Sequence, residues 1–577
     1  MTLSVATLLL GLSLLSPAQG NNDAWGSKGA VVSEVSGCSD HGVEILKIGG
    51  SAADAIIATG LCVGTIGAYH SGIGGGGFML VRSQPQNTKH RPEYETIDFR
   101  EFMPALGNVT MYSNNSNPTA STRGGLSVGV PGELRGWEML HKRHGKLPWA
   151  VLFQSAIHEA RYGFKVNVDL AAALNATTYP FLLTDPLWAE VYAPNGTIAQ
   201  LGDTIYRKRY AATLEKIALH GVDAFYRGSI AEKTSKAALE TGGILTTADL
   251  ARYAAIVRTP NNITYRNRFR IFSTVAPSSG TVVLSALKIF DAYARDVETN
   301  ETTHALIQAT KFGYGQRTTY GDPAFTKNVS ALEEYYLRDE TVAAVRARLP
   351  LNTTFAAPYY NPSGYAVLDD HGTSHMAAVD RWGNAVSLTT TINLFWGSRV
   401  MTADGVILNN EMDDFSSPGA VNSFGFEASP INFIAPFKRP QSSIASSIAE
   451  DLESGEFVMA TGSAGGSLII TATLQNLHHH LDLGMSANAS VFTPRWHDQL
   501  GTATMFEGLG AENKAVDEAL GITPFANSTI AYLGGLGYNV SGMGVGSTSH
   551  VIVKHKEKGL FEAANDPRKP AGGGSAY

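Results

Sequence analysis

A threonine hydroxyl is a poor nucleophile until a base removes its proton, and a chain cut just before the threonine supplies that base as its own α-amine. Residues 369–380 read Asp-Asp-His-Gly-Thr-Ser-His-Met-Ala-Ala-Val-Asp and contain such a threonine, Thr373. A turn-like stretch meets an alternating strand pattern at Thr373; the pattern runs to Asp380, turns through residues 381–384 and returns over 385–392. The hairpin so defined presents Thr373 at a strand end. An α-amine has a pKa of ~7.7–8, suited to neutral proton transfer. Gly372 permits the strained backbone that self-cleavage needs. The return strand carries Thr389, Thr390 and Thr391, then Asn393; alternation puts Thr389 and Thr391 on one face.

Four other segments carry groups that would shape a pocket beside that hydroxyl. Asn410-Glu411-Met412-Asp413-Asp414 sets three carboxylates within a short span, able to hold an ammonium. Ser442 and Ser443 offer paired hydroxyls suited to a small carboxylate. Arg100, in Asp98-Phe99-Arg100-Glu101, can grip a carboxylate bidentately. Gly465-Gly466 follows a strand pattern at 457–461 and can aim two backbone N–H groups at a developing oxyanion. Each alone also reads as a surface turn or an ion pair. Together they describe an amino-acid-shaped pocket beside a nucleophile.

The elements that must position these groups follow from periodicity. Helical spacing of apolar residues predicts helices over 132–143, 149–161, 210–220, 228–241, 281–294 and 302–319. Strands are expected at 77–83, 95–100, 262–272, 374–380, 385–392, 457–461 and 549–555. The 577 residues would allow about three to five domains by length, but no Pro/Ser linker divides them, so one interleaved α+β unit is expected. Net charge is −7 with no basic stripe, which excludes the usual nucleic-acid binder. Glycine is abundant, 60 of 577. The run Gly72-Ile73-Gly74-Gly75-Gly76-Gly77 satisfies G-x-G-x-x-G, but a helix precedes it and a strand follows, the reverse of a dinucleotide fingerprint. A close passage of another backbone is expected there instead. His478-His479-His480 cannot converge on one ion from a single helix, and Asp482 sits too near to add a ligand, so a partly exposed helix is expected and no metal site. Low complexity is confined to the tail at 567–575.

The N-terminus has an apolar run over residues 3–15 ending in Ser16-Pro17-Ala18-Gln19-Gly20, which reads as a signal peptide over 1–20 or, alternatively, a signal anchor. Sequons at Asn108, Asn114, Asn175, Asn195, Asn262, Asn300, Asn328, Asn352, Asn488, Asn527 and Asn539 point to a glycosylating pathway. Secretion, surface anchoring and vacuolar delivery share that entry. Cys38 and Cys62, the two cysteines, would most simply form one disulfide in an oxidising compartment, or remain buried thiols. Ser51 with Asp54 looks like a capping start for the helix that leads to Cys62.

The ordered motifs resemble the γ-glutamyltransferase (glutathione hydrolase) family of N-terminal nucleophile hydrolases, from about Cys38 to the C-terminus. They comprise Gly49-Gly50-Ser51-Ala52-Ala53-Asp54-Ala55, His70–Gly76, Asp98–Glu101, Ser127–Gly132, Gly372-Thr373-Ser374-His375, 409–418, Pro440–Ser443, Ala464-Gly465-Gly466, Gly546–His550 and Asp566-Pro567-Arg568-Lys569. The resemblance implies a four-layer αββα sandwich and a precursor that cuts itself between Gly372 and Thr373. The products would be a large subunit of residues 21–372 and a small one of 373–577, forming one heterodimeric catalytic unit. By the same resemblance Thr373 is the nucleophile and Thr391 bonds the new N-terminal residue. Arg100, Ser442 and Ser443 hold the γ-glutamyl α-carboxylate, and Asn393, Glu411 and Asp414 the α-ammonium. Gly465 and Gly466 form the oxyanion hole, and Cys38–Cys62 the disulfide of eukaryotic members. Glutathione and other γ-glutamyl compounds are the implied donors, water, amino acids or dipeptides the acceptors, with no metal or cofactor. Ile444-Ala445 follow the serine pair where the family often has a proline. The rivals are another amidase of the same superfamily, such as a cephalosporin acylase, and an inactive secreted binding glycoprotein. The stretch 421–439 is long enough for a flap.

Overall fold

The computed structural model describes residues 23–577 except 86–90, 114, 366–371 and 421–426. The signal or anchor segment, the sequon at Asn114 and the first part of 421–439 therefore lie outside the described residues.

Two seven-stranded antiparallel sheets form the centre. Their strands are β1 (Asp23–Gly26), β2 (Gly29–Ser33), β3 (Gly76–Ser83), β4 (Glu93–Asp98), β5 (Ile256–Arg258), β6 (Asn261–Tyr265), β7 (Phe269–Ser273), β8 (Ser374–Asp380), β9 (Ala385–Thr391), β10 (Ser447–Asp451), β11 (Phe457–Ala464), β12 (Thr548–His555), β13 (Leu560–Asn565) and β14 (Gly573–Ala576). One sheet runs β14-β2-β8-β9-β3-β4-β5, the other β1-β13-β12-β11-β10-β7-β6. The period of two in β8 sorts its side chains: Ala377 and Val379 join a cluster with Ala460, Ile448 and Ile552 of the other sheet. Met376 and Ala378 join a second cluster, with Ile56, Leu61 and Val63. Every residue of β8 and β9 is buried, so these strands are covered on both faces.

Helices α1 (Ser36–Lys47) and α2 (Ala52–Ile66) pack on the β2–β8–β9 region. All of α2 is buried, and its start is the expected capping box: Asp54 N donates to Ser51 Oγ at 3.2 Å and Ser51 N to Asp54 Oδ2 at 2.9 Å. Cys38 in α1 and Cys62 in α2 are joined as a disulfide. Helices α3 (Gly280–Phe290), α4 (Asn300–Arg317) and α5 (Leu468–Leu481) share the apolar cluster of the second sheet.

Four expectations change. The stretch 149–161 is two helices, Trp149–Leu152 and Gln154–Tyr162, because the buried Phe153 takes the chain into the core between them. The stretch 262–272 is the β6–β7 hairpin, turned at Arg266 and Asn267 with φ of 57° and 49°, the left-handed pair that matches strand twist. The low-complexity tail contributes β14, pairing with β2; a Cβ on Gly574 would lie 2.0 Å from Ala563 O, so only glycine fits that crossing. The histidine run lies in α5 with His478 and His479 buried rather than partly exposed. Asp482, one turn on, takes His478 Nδ1 at 2.6 Å while Glu298 takes Nε2 at 2.8 Å. Burial opposes the charge on His478, but those two carboxylates outweigh it and carry the pKa up to about 9.

Candidate active site

Backbone sterics build the corner around Thr373. β9 lies between β8 and β3, with Ser374 opposite Thr390 and Thr391 opposite Gly76. The glycine run makes the close passage the sequence suggested: a Cβ at Gly75 would sit 1.9 Å from Thr391 O and one at Gly77 2.1 Å from Thr389 O. Gly372 has φ 70°, and a Cβ there would meet Asn393 O at 1.9 Å. Thr391 Oγ1 donates to Gly372 O at 2.8 Å and accepts from Asn393 N at 2.7 Å. From the other sheet, β11 ends at Ala464 and the chain enters α5 through Gly465 and Gly466, with φ of 121° and 61°. Gly465 N donates to Thr373 Oγ1 at 3.0 Å. A Cβ on Gly465 would lie 2.3 Å from Gly546 O.

One turn away the forces are electrostatic. Asn393, at φ 66°, donates from Nδ2 to Asn410 O at 3.0 Å, which ties the Thr391 turn to the next residue along, Glu411. The Arg100 guanidinium bonds Glu411 through Nη1 and Asp414 through Nη2, and Nη2 also reaches Gln441 O at 3.0 Å. All three side chains are buried. Burial works against the Arg100 charge, but Glu411, Asp414 and Glu101 together raise its pKa. Glu101 behaves oppositely: burial pushes its carboxyl up to about 8 despite Arg100. Groups expected to hold opposite ends of one ligand are thus ion-paired to each other here. Ser442 Oγ accepts from Ile444 N at 3.2 Å, and Ser443 Oγ accepts from Arg317 Nη2 at 2.8 Å.

Arg317, Ser279 and Glu133 carried no signal in the sequence. Arg317 is the last residue of α4, and its Nε donates to Ser279 Oγ at 3.0 Å while Ser279 Oγ donates to Ser442 O at 2.6 Å. His375 faces the other sheet with Nδ1 2.8 Å from Thr389 Oγ1, and burial with the nearby His550 keeps it neutral. Thr390, on the opposite face, donates to the buried Glu133 at 2.8 Å. Only the fold brings Arg317 to Ser443 and Glu133 to Thr390. Of the ten described sequons, Asn108, Asn195, Asn262, Asn328, Asn352, Asn527 and Asn539 are exposed, while Asn175, Asn300 and Asn488 are half-buried. Among the described residues no group of three or more His, Cys, Asp or Glu is arranged to hold a metal, and no helix is long and apolar enough to cross a membrane.

The fold is the α+β sandwich of sheets found in enzymes of the N-terminal nucleophile hydrolase type. The crystal structure of cephalosporin acylase from Bacillus halodurans superposes with a TM-score of 0.80 at 23% identity, covering 98% of each chain. The particular family is set by sequence. The gamma-glutamyltranspeptidase family model matches residues 38–576, and the chain belongs to that family. A glutathione hydrolase proenzyme of Arthroderma benhamiae is 42% identical over 566 residues, covering 95% of this chain and 93% of the relative. A glutathione hydrolase of Aspergillus flavus is 40% identical, with 95% and 89% covered. Helicobacter pylori gamma-glutamyltranspeptidase matches at TM-score 0.51 and 27% identity over 56% of this chain and 91% of that one.

Proposed function

We propose that this chain is a self-processing γ-glutamyltransferase acting on glutathione and related γ-glutamyl compounds. The observation that carries this reading is the Thr373 corner, where Gly465 N meets Thr373 Oγ1 at 3.0 Å and Thr391 Oγ1 donates to Gly372 O at 2.8 Å. In the first event Thr373 Oγ attacks the Gly372 carbonyl carbon, and the Thr391 hydroxyl steadies the oxygen on which negative charge develops. The Gly372–Thr373 C–N bond then breaks as the hydroxyl proton passes to the Thr373 nitrogen, and water hydrolyses the resulting ester, leaving Thr373 as a new N-terminus with a free hydroxyl. The word proenzyme in the Arthroderma relative's name accords with such a cut.

In turnover the α-amine of Thr373 takes the hydroxyl proton while Oγ attacks the substrate γ-carbonyl, and the same proton passes to the departing amine. Gly465 and Gly466 offer N–H groups to the tetrahedral oxygen. The γ-glutamyl ester then goes to water, or to the amine of an amino acid or dipeptide. Arg100, Ser442 and Ser443 take the α-carboxylate, and Asn393, Glu411 and Asp414 the α-ammonium. Arg100 is paired with Glu411 and Asp414, so an α-carboxylate would take over the guanidinium while an α-ammonium takes over the two acids. Holding both α-substituents leaves only the γ-carbonyl in line with Thr373.

The cut would yield subunits of residues 21–372 and 373–577 that stay together, because each sheet draws strands from both sides of it: β2, β3, β4 and β5 with β8, β9 and β14, and β1, β6 and β7 with β10 to β13. Three of the apolar clusters, one between the sheets and two under helices, support the four-layer αββα reading. Residues 1–20 act as an entry signal or a signal anchor, for secretion, surface anchoring or vacuolar delivery. A denaturing gel beside a Thr373→Ala sample tests the cut, and release of p-nitroaniline from a γ-glutamyl anilide tests specificity. A single uncleaved band with no anilide turnover in the parent protein sinks the proposal. Turnover of a bulky side-chain amide instead would favour an acylase.

A further inference from the structure

Thr391 must keep one hydroxyl on the Gly372 carbonyl, yet it stands where β9 has least to hold it. The pairing of β8 with β9 stops at Ser374 opposite Thr390. On the other side β3 presents Gly77 to Thr390 and Gly76 to Thr391, and neither glycine has a side chain to pack against them. Just beyond, the chain leaves the strand through Asn393 at φ 66°. Strand ends with so few side-chain contacts are the places where local opening starts.

Glu133 ties this strand end down. Thr390 Oγ1 donates to Glu133 Oε2 at 2.8 Å, and both residues are fully buried. Ser71 Oγ, the other hydroxyl beside Thr390, is 3.4 Å away, longer than the ~2.5–3.0 Å usual for such a bond. Glu133 is itself anchored as the first residue of the helix Glu133–His144. Its own N–H and that of Gly132 both donate to Gly75 O, at 3.0 and 2.8 Å. Gly75 in turn passes Thr391 O so closely that a Cβ there would lie 1.9 Å from it. Burial holds the Glu133 carboxyl well above the ordinary range, so it stands as a neutral acid with an oxygen available to accept. Side chains alternate along a strand, so holding Thr390 on the helix side keeps Thr391 on the opposite face, where Gly372 lies. We propose that Glu133 is a positioning residue for self-cleavage: by holding Thr390 it fixes the pleat at the end of β9 and so keeps the Thr391 hydroxyl on the Gly372 carbonyl while Thr373 attacks. This role rests on the self-processing reading. Glu133 acts through Thr390 and moves no proton of the reaction.

The test is a pulse-chase of the full chain on a denaturing gel, with Tm read separately in the uncut Thr373→Ala background. Glu133→Met keeps the volume but removes the acceptor, and should slow cleavage about tenfold. Glu133→Gln presents the same acceptor oxygen on a neutral side chain of the same shape and should recover most of that rate. The double variant Glu133→Met/Thr390→Val leaves neither partner unpaired, so its Tm should return towards the parent value while cleavage stays slow. Recovery of the rate together with Tm would reduce Glu133 to a packing role and overturn the proposal. So would Glu133→Gln cleaving as slowly as Glu133→Met, or Glu133→Met cleaving at the parent rate. A parent chain that is never cut sinks the self-processing reading and this role with it, whereas a normally cut parent beside any of those three results sinks this role alone.

Discussion

The Thr373 corner and the Arg100 pocket are neighbours, yet opposite means hold them. At the corner, Gly75, Gly77, Gly372 and Gly465 let backbones approach to distances no Cβ tolerates, and left-handed φ values aim the Gly465 amide at Thr373. Little charge is involved; His375 beneath it is neutral. In the pocket the backbone is ordinary around Arg100, and the work is done by buried charge, one guanidinium against Glu411 and Asp414 with Glu101 behind. A nucleophile needs position, which sterics supply, whereas recognition of a zwitterion needs charge that can be exchanged. Ion pairs between Arg100 and the acids keep each buried charge compensated until a ligand replaces them.

The sharpest break is Thr373→Ala, which removes the attacking atom and should leave one uncleaved band and no anilide turnover. Gly372→Ala attacks the same corner through sterics alone. Its Cβ would collide with Asn393 O at 1.9 Å in a conformation with φ 70°, so maturation should slow severely, read as persistence of the full-length band over hours. In the pocket, Arg100→Ala leaves two buried carboxylates without their cation. A loss of ~3–5 kcal/mol in unfolding free energy is expected, with anilide KM rising far more than kcat falls; a normal KM would refute the carboxylate role. Arg317→Ala is gentler. It frees Ser443 from its donor and should raise KM about tenfold with little change in kcat.

The smallest effect is a pH dependence of stability. The Glu101 carboxyl stands near 8 when folded against 4.5 for an ordinary glutamate, because burial penalises its charge. Between those values the unfolded chain has released the proton and the folded chain retains it, so raising pH through that window favours unfolding. Glu34, near 7 for the same reason, adds to the slope. Glu101→Gln should therefore flatten the fall in Tm above pH 4.5, and an unchanged slope would assign the effect elsewhere. Glu34 bonds Ser374 and the buried Glu133 bonds Thr390, so the Thr373 corner contributes to the same slope.

Residue types and local spacing already determined a good deal: the β8–β9 hairpin, the capping box on α2 and the close passage at the glycine run, while Thr373, Arg100, Glu411, Asp414 and the glycine pair were marked as candidates. These are local consequences of period, cap chemistry and the missing Cβ, so they are written in a few adjacent residues. What only the tertiary structure decided is what meets what. Arg317 at Ser443, Thr390 at Glu133 and Glu298 at His478 each depend on elements far apart in the chain. The tail strand β14 is another such case, since its glycines are needed by the backbone of β13 that crosses them. Side chains such as these are recruited by packing, and packing is a property of the assembled layers, not of any stretch of sequence.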